Sequence, residues 1–277
     1  MGRRRDRISA RQLGALILTA AWVPVFGYCC RIHWLWTLLG GLAAALTLSG
    51  LTWLLNRRKR RGVERGEAAR WQSCFAPLLR GGAGAAAWAG SFAFPETAGS
   101  WLAALLIFGL AGAAAGLGPA AAGRCAGILL WTTGVLYGIV LVFSLPQIRL
   151  SWLLPPRGAW TEAGKVWAAL LTPAGGLFLT GGLGEDQKLP HWPWWTAAAA
   201  AAAASAVTGG ILSPALAGER EAFRTLARGV SVLGVMRRFE ALVNGALLMS
   251  AFCLCAMLLT GTLQAWRRSG LLSNHTE

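Results

Sequence analysis

The chain has 277 residues, 55% of them hydrophobic and 13% charged, with a mean hydropathy of +0.51; a soluble domain of this length would need a charged surface that this chain lacks. Its formal charge is +15, but the basic residues stand mainly at the ends of apolar runs with no stacking or recognition module beside them, which argues against nucleic acid as a partner. The six cysteines form no CxxC pair with histidine nearby, so neither a zinc site nor any other cofactor is expected.

Arg3, Arg4, Arg5, Arg7 and Arg11 precede the first apolar run, and Arg57-Arg58-Lys59-Arg60-Arg61 follows the second. Juxtamembrane Lys and Arg stay on the cytoplasmic side, so residues 12–30 and 34–55 are predicted to leave the cytoplasm and return as a hairpin. The arginine-rich start imitates a secretory signal. No small-residue cleavage site precedes the next span, however, and Arg31 and His33 occupy the short turn, so the first helix is expected to remain uncleaved. Within the basic stretch from Asn56 to Arg80, the loop 57–70 is expected to set topology, with contact to anionic membrane lipids or a partner as the alternative. The stretch's Trp71, Phe75, Leu78 and Leu79 suit a segment lying along the inner surface.

Residues 81–98 read as a Gly- and Ala-rich span ending at Pro95 and Glu96, followed by spans at 100–120 and 125–146. The loop 147–164 carries prolines with Trp and Leu anchors, which predicts an ordered surface segment. Spans at 166–184 and 193–213 come next, separated by Glu185-Asp186-Gln187-Lys188. The run Ala197 to Ala204 combines high helix propensity with small size and lets a neighbouring helix approach closely. Between 214 and 238, arginines alternate with Phe223, Leu226, Val230 and Leu233 at helical spacing, as in an amphipathic surface helix. The last span is 239–262, closed by Trp266-Arg267-Arg268. The prediction is therefore an all-α polytopic membrane bundle of about eight transmembrane helices in a single domain, 1–277, with both termini cytoplasmic. That count puts the arginine-rich segment 214–238 outside, offset in part by Glu219, Glu221 and Glu240; if 81–98 did not cross, the segment would lie inside.

No span contains a Ser/His/Asp set, a His-Glu metal motif or a phosphate loop, so the chain is not expected to be an enzyme. Breaks inside helices are the more informative signal. Pro24 and Gly27 fall in the first span, and Thr172-Pro173-Ala174-Gly175-Gly176 in the sixth. Interrupted helices in two separated spans point to a transporter-type substrate site; the alternative is that Gly and Pro are simply common in membrane helices. Glu240, at the head of the last span, is expected either to use the helix dipole and pair with Arg237 or Arg238, or to form with Arg238 a gating or helix-packing ion pair.

Ile8-Ser9-Ala10-Arg11-Gln12-Leu13, then Ser144-Leu145-Pro146-Gln147-Ile148-Arg149-Leu150 with Leu153-Leu154-Pro155, then Ser213-Pro214 with Arg238-Phe239-Glu240-Ala241-Leu242, occur in an order and spacing that resemble the permease-like B subunits of spore germinant receptors. That family is a branch of the amino acid, polyamine and organocation (APC) transporter superfamily. The resemblance implies a LeuT-like, APC-type core in which the first and sixth helices unwind around a small polar ligand such as an amino acid, held among helices one, three, six and eight. Pro24, Gly27, Thr172, Gly175 and Gly176 become the ligand-binding candidates. It also implies other germinant-receptor subunits as partners, and the bacterial inner membrane, specifically that of the spore, as location. Family members have ten helices where eight are read here, and the missing pair is peripheral to the core. Pro24 and the bulky Trp22 depart from the family pattern near the expected break. Two rival readings remain: a non-binding structural subunit of a receptor complex, and a secondary amino acid transporter. The lack of any buried Asp, Glu or His in the first six spans argues against proton coupling.

Overall fold

The computed structural model describes residues 7–60, 81–85, 100–153, 159–183, 187–212, 222–229 and 239–268. Among them the chain is all-helical, with no strand and a single isolated bridge between Ile8 and Leu183. The helices are α1 (Ala10–Gly27), α2 (Trp34–Arg60), α3 (Ser100–Gly116), α4 (Pro119–Ser144), α5 (Leu150–Leu153), α6 (Thr161–Leu170), α7 (Trp192–Ile211), α8 (Ala222–Gly229) and α9 (Glu240–Arg268), together with 3-10 segments of which Thr172–Gly182 is the longest. Residues 81–85 are also helical.

Four helical stretches, Ala10–Arg31, Trp34–Arg57, Pro119–Gln147 and Glu240–Gln264, are long and apolar enough to cross a membrane. This is the pattern of an integral membrane protein, with four clear crossings among the described residues where eight spans were expected. The other four differ for separate reasons. Most of 81–98 lies outside the described residues, as do most of Asn56–Arg80 and most of 214–238. The fourth helix stops after 17 residues at Gly116. The sixth is split between α6 and the 3-10 segment. The seventh has 20 residues, largely alanine and tryptophan.

α1 begins with a reciprocal cap: Gln12 N–H donates to Ser9 Oγ (3.1 Å) and Ser9 N–H to Gln12 Oε1 (3.0 Å). This satisfies two of the donors a helix start leaves free. Beyond the cap, every residue from Leu13 to Phe26 except Val23 is buried, because an apolar helix with no polar face must be surrounded. Its neighbours are α4, α7, α9 and the 3-10 segment. Thr19, on the α4 side, donates to Ala15 O (2.8 Å) and lies 3.3 Å from Ala126 O.

α2 runs antiparallel to α7. Thr37 meets Ser205 (3.2 Å), Trp194 Nε1 donates to Thr52 Oγ1 (3.0 Å), and Asn56 clamps the Leu189 backbone in both directions (2.8 and 3.3 Å). The alanine run performs the role its size allows: Ala197, Ala198, Ala201 and Ala204 are buried, and a methyl group on Gly41 of α2 would touch Ala198 at 3.4 Å. Where α2 crosses α6 the approach is closer still, since a Cβ on Gly40 would stand 2.3 Å from the Ala163 carbonyl oxygen.

The turn between α3 and α4 lies earlier than the expected break at 120–125. Gly118 takes φ 95° and Pro119 opens α4. Glycine tolerates that left-handed backbone and proline suits a first helical position, where its missing N–H costs nothing. α9 is antiparallel to α1, with Met257 beside the Ile17 level and Phe239 and Val243 in the same core cluster as Phe26. The start of α1, the end of α2, the start of α4 and the 187–190 loop thus share one end of the bundle with the end of α9. Ala10 N–H donates to Gln187 Oε1 (2.8 Å) there. Arg7, Arg11, Arg57 and Arg124 belong to this end by their places in the chain.

Candidate functional site

The sixth segment breaks where its sequence suggests. α6 ends at Leu170, and the Leu171 N–H is shared between Trp167 O (3.1 Å) and Ala168 O (3.2 Å), the tightening that turns α into 3-10 geometry. Pro173 has no N–H to donate and disfavours α backbone at Thr172. Ala174 then donates to Leu171 O (2.9 Å), and the Thr172 hydroxyl to Ala169 O. The 3-10 stretch continues for 11 residues, Thr172–Gly182, where three or four are usual. It packs on α1 and α9 through buried Gly175, Gly176, Leu177 and Leu179.

Gly176 is the tightest point of that contact. A Cβ there would lie 2.6 Å from Ile17 Cγ1 and 3.0 Å from Met257 Sδ. Both neighbours are fully buried, so their side chains occupy the face that a ligand at Gly176 would need. Thr172, by contrast, is exposed.

The first helix does not break as expected. Pro24 lies within a continuous α1, one turn from its end, and Tyr28 N–H donates to Pro24 O (3.1 Å). A proline there forfeits only its own bond to Ala20 just before the helix stops, so no mid-depth unwinding is needed. Gly27 is exposed, with open space where a Cβ would be. Pro24 stands seven residues from Ile17, the α1 residue that meets Gly176, which is about 10 Å along the helix. Pro24 and Gly27 are therefore not brought together with Gly175 and Gly176.

The expected Arg238–Glu240 ion pair is only half within the described residues. Arg238 lies outside them, and Glu240 accepts from Arg228 Nη2 of α8 at 2.6 Å. The carboxylate sits in the first turn of α9, where the helix dipole favours it.

A second cluster lies at the Pro24 end of α1. Trp22 and Phe26 of α1, Tyr137 of α4 and Phe223 of α8 pack ring to ring. Phe26 stacks on Tyr137 with centroids 3.8 Å apart, Phe26 and Phe223 are 4.6 Å apart, and Trp22 meets Tyr137 edge-on at 6.1 Å. All four are buried, yet among the described residues Trp22 Nε1 and the Tyr137 hydroxyl meet no partner in hydrogen-bond geometry. Ser250 stands beside Tyr137, outside strict bonding geometry, and its hydroxyl donates to Ala246 O (2.8 Å), which leaves its lone pairs toward the phenol unspent. Thr208, beside Cys30, likewise donates to Ala204 O (2.7 Å). Sequence reasoning missed Tyr137 and Phe223. The one available signal was that Tyr137 is one of only two tyrosines and stands inside a strongly apolar run.

Compared with protein-family models and with curated proteins, the sequence matches none.

Proposed function

We propose that this chain is a spore germination permease-like membrane protein that binds a small polar ligand, such as an amino acid, in a bacterial inner membrane. The observation that carries the reading is the sixth segment, an α-helix that gives way at Thr172 to an 11-residue 3-10 stretch lying against the first and last helices. Irregular backbone at membrane depth is tolerated only where protein or a cavity surrounds it, and it presents amides and carbonyls able to hold a ligand's charged ends. The motif order supports the same reading, and its first element, Ile8 to Leu13, has a physical role as the cap of α1. On the positive-inside rule the Arg7, Arg11 and Arg57 end is cytoplasmic, which places both termini inside and α8 outside. Ligand binding would bias rocking of the bundle and pass that bias to other receptor subunits, which requires unequal affinity for the two states.

One observation favours a second reading, a structural subunit that holds no ligand: Ile17 and Met257 fill the face of Gly176. Thermal unfolding of the purified chain across amino acids, sugars and nucleosides separates the two. A ligand at 100 times its Kd stabilises the folded state by about 2.7 kcal/mol. Specific stabilisation by one compound, lost on Gly175→Leu, supports the permease reading; no shift from any compound in a verified folded sample supports the structural subunit.

A further inference from the structure

We infer that Trp22 and Tyr137 form a recognition pair for an oxygen acceptor, carboxylate or carbonyl, on a small solute; this rests on the small-ligand reading above and moves its polar contacts from the broken helix to side chains. Buried donors without partners are rare in folded proteins, and within an apolar span no bulk water compensates them. Here two occur on adjacent rings of one cluster. The indole nitrogen is a donor only, and the phenol donates as well, so the group missing from both is an acceptor.

Among the described residues neither donor meets an acceptor in hydrogen-bond geometry. The Ser250 hydroxyl beside Tyr137 donates to Ala246 O and keeps its lone pairs, which makes it the protein's own rival acceptor for the phenol; the rings of Phe26 and Phe223 pack on Tyr137. An apolar cluster with two donor-bearing rings suits a compact solute with one oxygen-bearing end. The cluster lies within two turns of exposed Gly27, so the approach is from the end of the bundle opposite Arg7 and Arg57. Phe223 reaches the cluster from α8, and α8 is tied to the head of α9 by the Arg228–Glu240 pair. The short surface helix therefore forms one wall of the site.

The test is thermal unfolding of the purified full chain with glycine, glycinamide and ethanolamine, the smallest set sharing an amine and differing in carboxylate, amide or alcohol. Wild type, Trp22→Phe, Tyr137→Phe and Gly175→Leu are compared. Glycine or glycinamide is expected to raise the midpoint while ethanolamine does not, and the first two against each other separate carboxylate from neutral carbonyl. Tyr137→Phe is expected to raise the half-saturating concentration about tenfold, the effect of one lost hydrogen bond. Its ligand-free midpoint should not fall, because the ring keeps its packing and an unpaired hydroxyl is removed. Unchanged binding in both Trp22→Phe and Tyr137→Phe overturns the assignment, as does an equal shift from ethanolamine. Silence from both carbonyl compounds overturns it too, as does a drop of several degrees in ligand-free Tyr137→Phe, the mark of a hydroxyl held by Ser250 or by structural water. A shift that survives Tyr137→Phe but vanishes in Gly175→Leu removes this pair and leaves the small-ligand reading standing.

Discussion

Gly176→Ala tests whether the 3-10 segment is held against the first and last helices as tightly as the structure has it. The added methyl would lie 2.6 and 3.1 Å from Ile17 Cγ1 and Cδ1 and 3.0 Å from Met257 Sδ. Ordinary contact is 3.4–4 Å, so relief requires a displacement of about 1 Å in a close-packed region. Ile17 and Met257 are both fully buried and have nowhere to retreat. Overpacking of this kind costs about 1–3 kcal/mol, and the better helix propensity of alanine returns up to about 1 kcal/mol. The net expectation is a loss of up to about 3 kcal/mol. Ile17→Ala on its own should cost about 2–5 kcal/mol by opening a cavity. Placed in that background, Gly176→Ala fills part of the void and should become neutral or stabilising. Equilibrium denaturation of the four proteins in mixed micelles gives the coupling directly. Additivity within about 0.5 kcal/mol would refute the contact and restore room beside Gly176 for a ligand.

Gly40→Ala should be worse than Gly176→Ala in the same assay, because its methyl would meet the Ala163 carbonyl oxygen at 2.3 Å, a backbone atom that cannot rotate away; Gly138→Ala, with nothing within 4 Å, should be neutral or stabilising by up to about 1 kcal/mol. Asn56→Leu removes both halves of the clamp on Leu189 and leaves that backbone N–H and carbonyl unpaired, at a cost of about 1–3 kcal/mol, read as a lower midpoint and faster proteolysis near 187–190. Trp194→Phe keeps most of the buried ring but loses the bond to Thr52, so a loss of about 0.5–2 kcal/mol is expected, the range for interhelical hydrogen bonds in membranes. Arg228→Gln breaks a pair whose arginine is more than half exposed, so stability should change by under about 1 kcal/mol.

The hairpin of α1 and α2 and the break at Thr172 were legible because each depends on local chemistry: arginine clusters beyond apolar runs, and a proline followed by two glycines. The same reasoning failed at Pro24 because a proline's effect depends on how far the helix continues after it. With the helix stopping at Gly27, only the bond from Tyr28 N–H to Pro24 O follows the lost one in its row, and the chain turns into Cys29–Arg31 without unwinding at mid-depth. Composition alone separates these two prolines only in part. Pro24 is followed by Val25 and Phe26, which continue a helix, whereas Pro173 is followed by Gly175 and Gly176, which do not favour one. The turn at Gly118-Pro119 carried a readable signal, glycine ahead of a proline suited to opening a helix, but it sits inside an unbroken run of small and apolar residues that hides it from a count of hydrophobicity.

Nonlocal facts were beyond the sequence for a different reason. Adjacency pointed Glu240 to Arg237 and Arg238, which lie outside the described residues, and gave no sign of Arg228. In the structure the head of α9 packs on α8, which presents Arg228 from twelve residues upstream. Trp22 looked like an obstruction because bulk near an expected unwinding leaves no room for a ligand. In a continuous helix the same bulk becomes a wall: α1 carries Trp22 and Phe26 on one side, four residues apart, and α4 and α8 bring Tyr137 and Phe223 to meet them. Four rings drawn from three separate stretches leave an indole N–H and a phenol O–H with no acceptor in hydrogen-bond geometry among the described residues. Two buried donors therefore lie near one end of the central helix, with Trp22 five residues from Gly27.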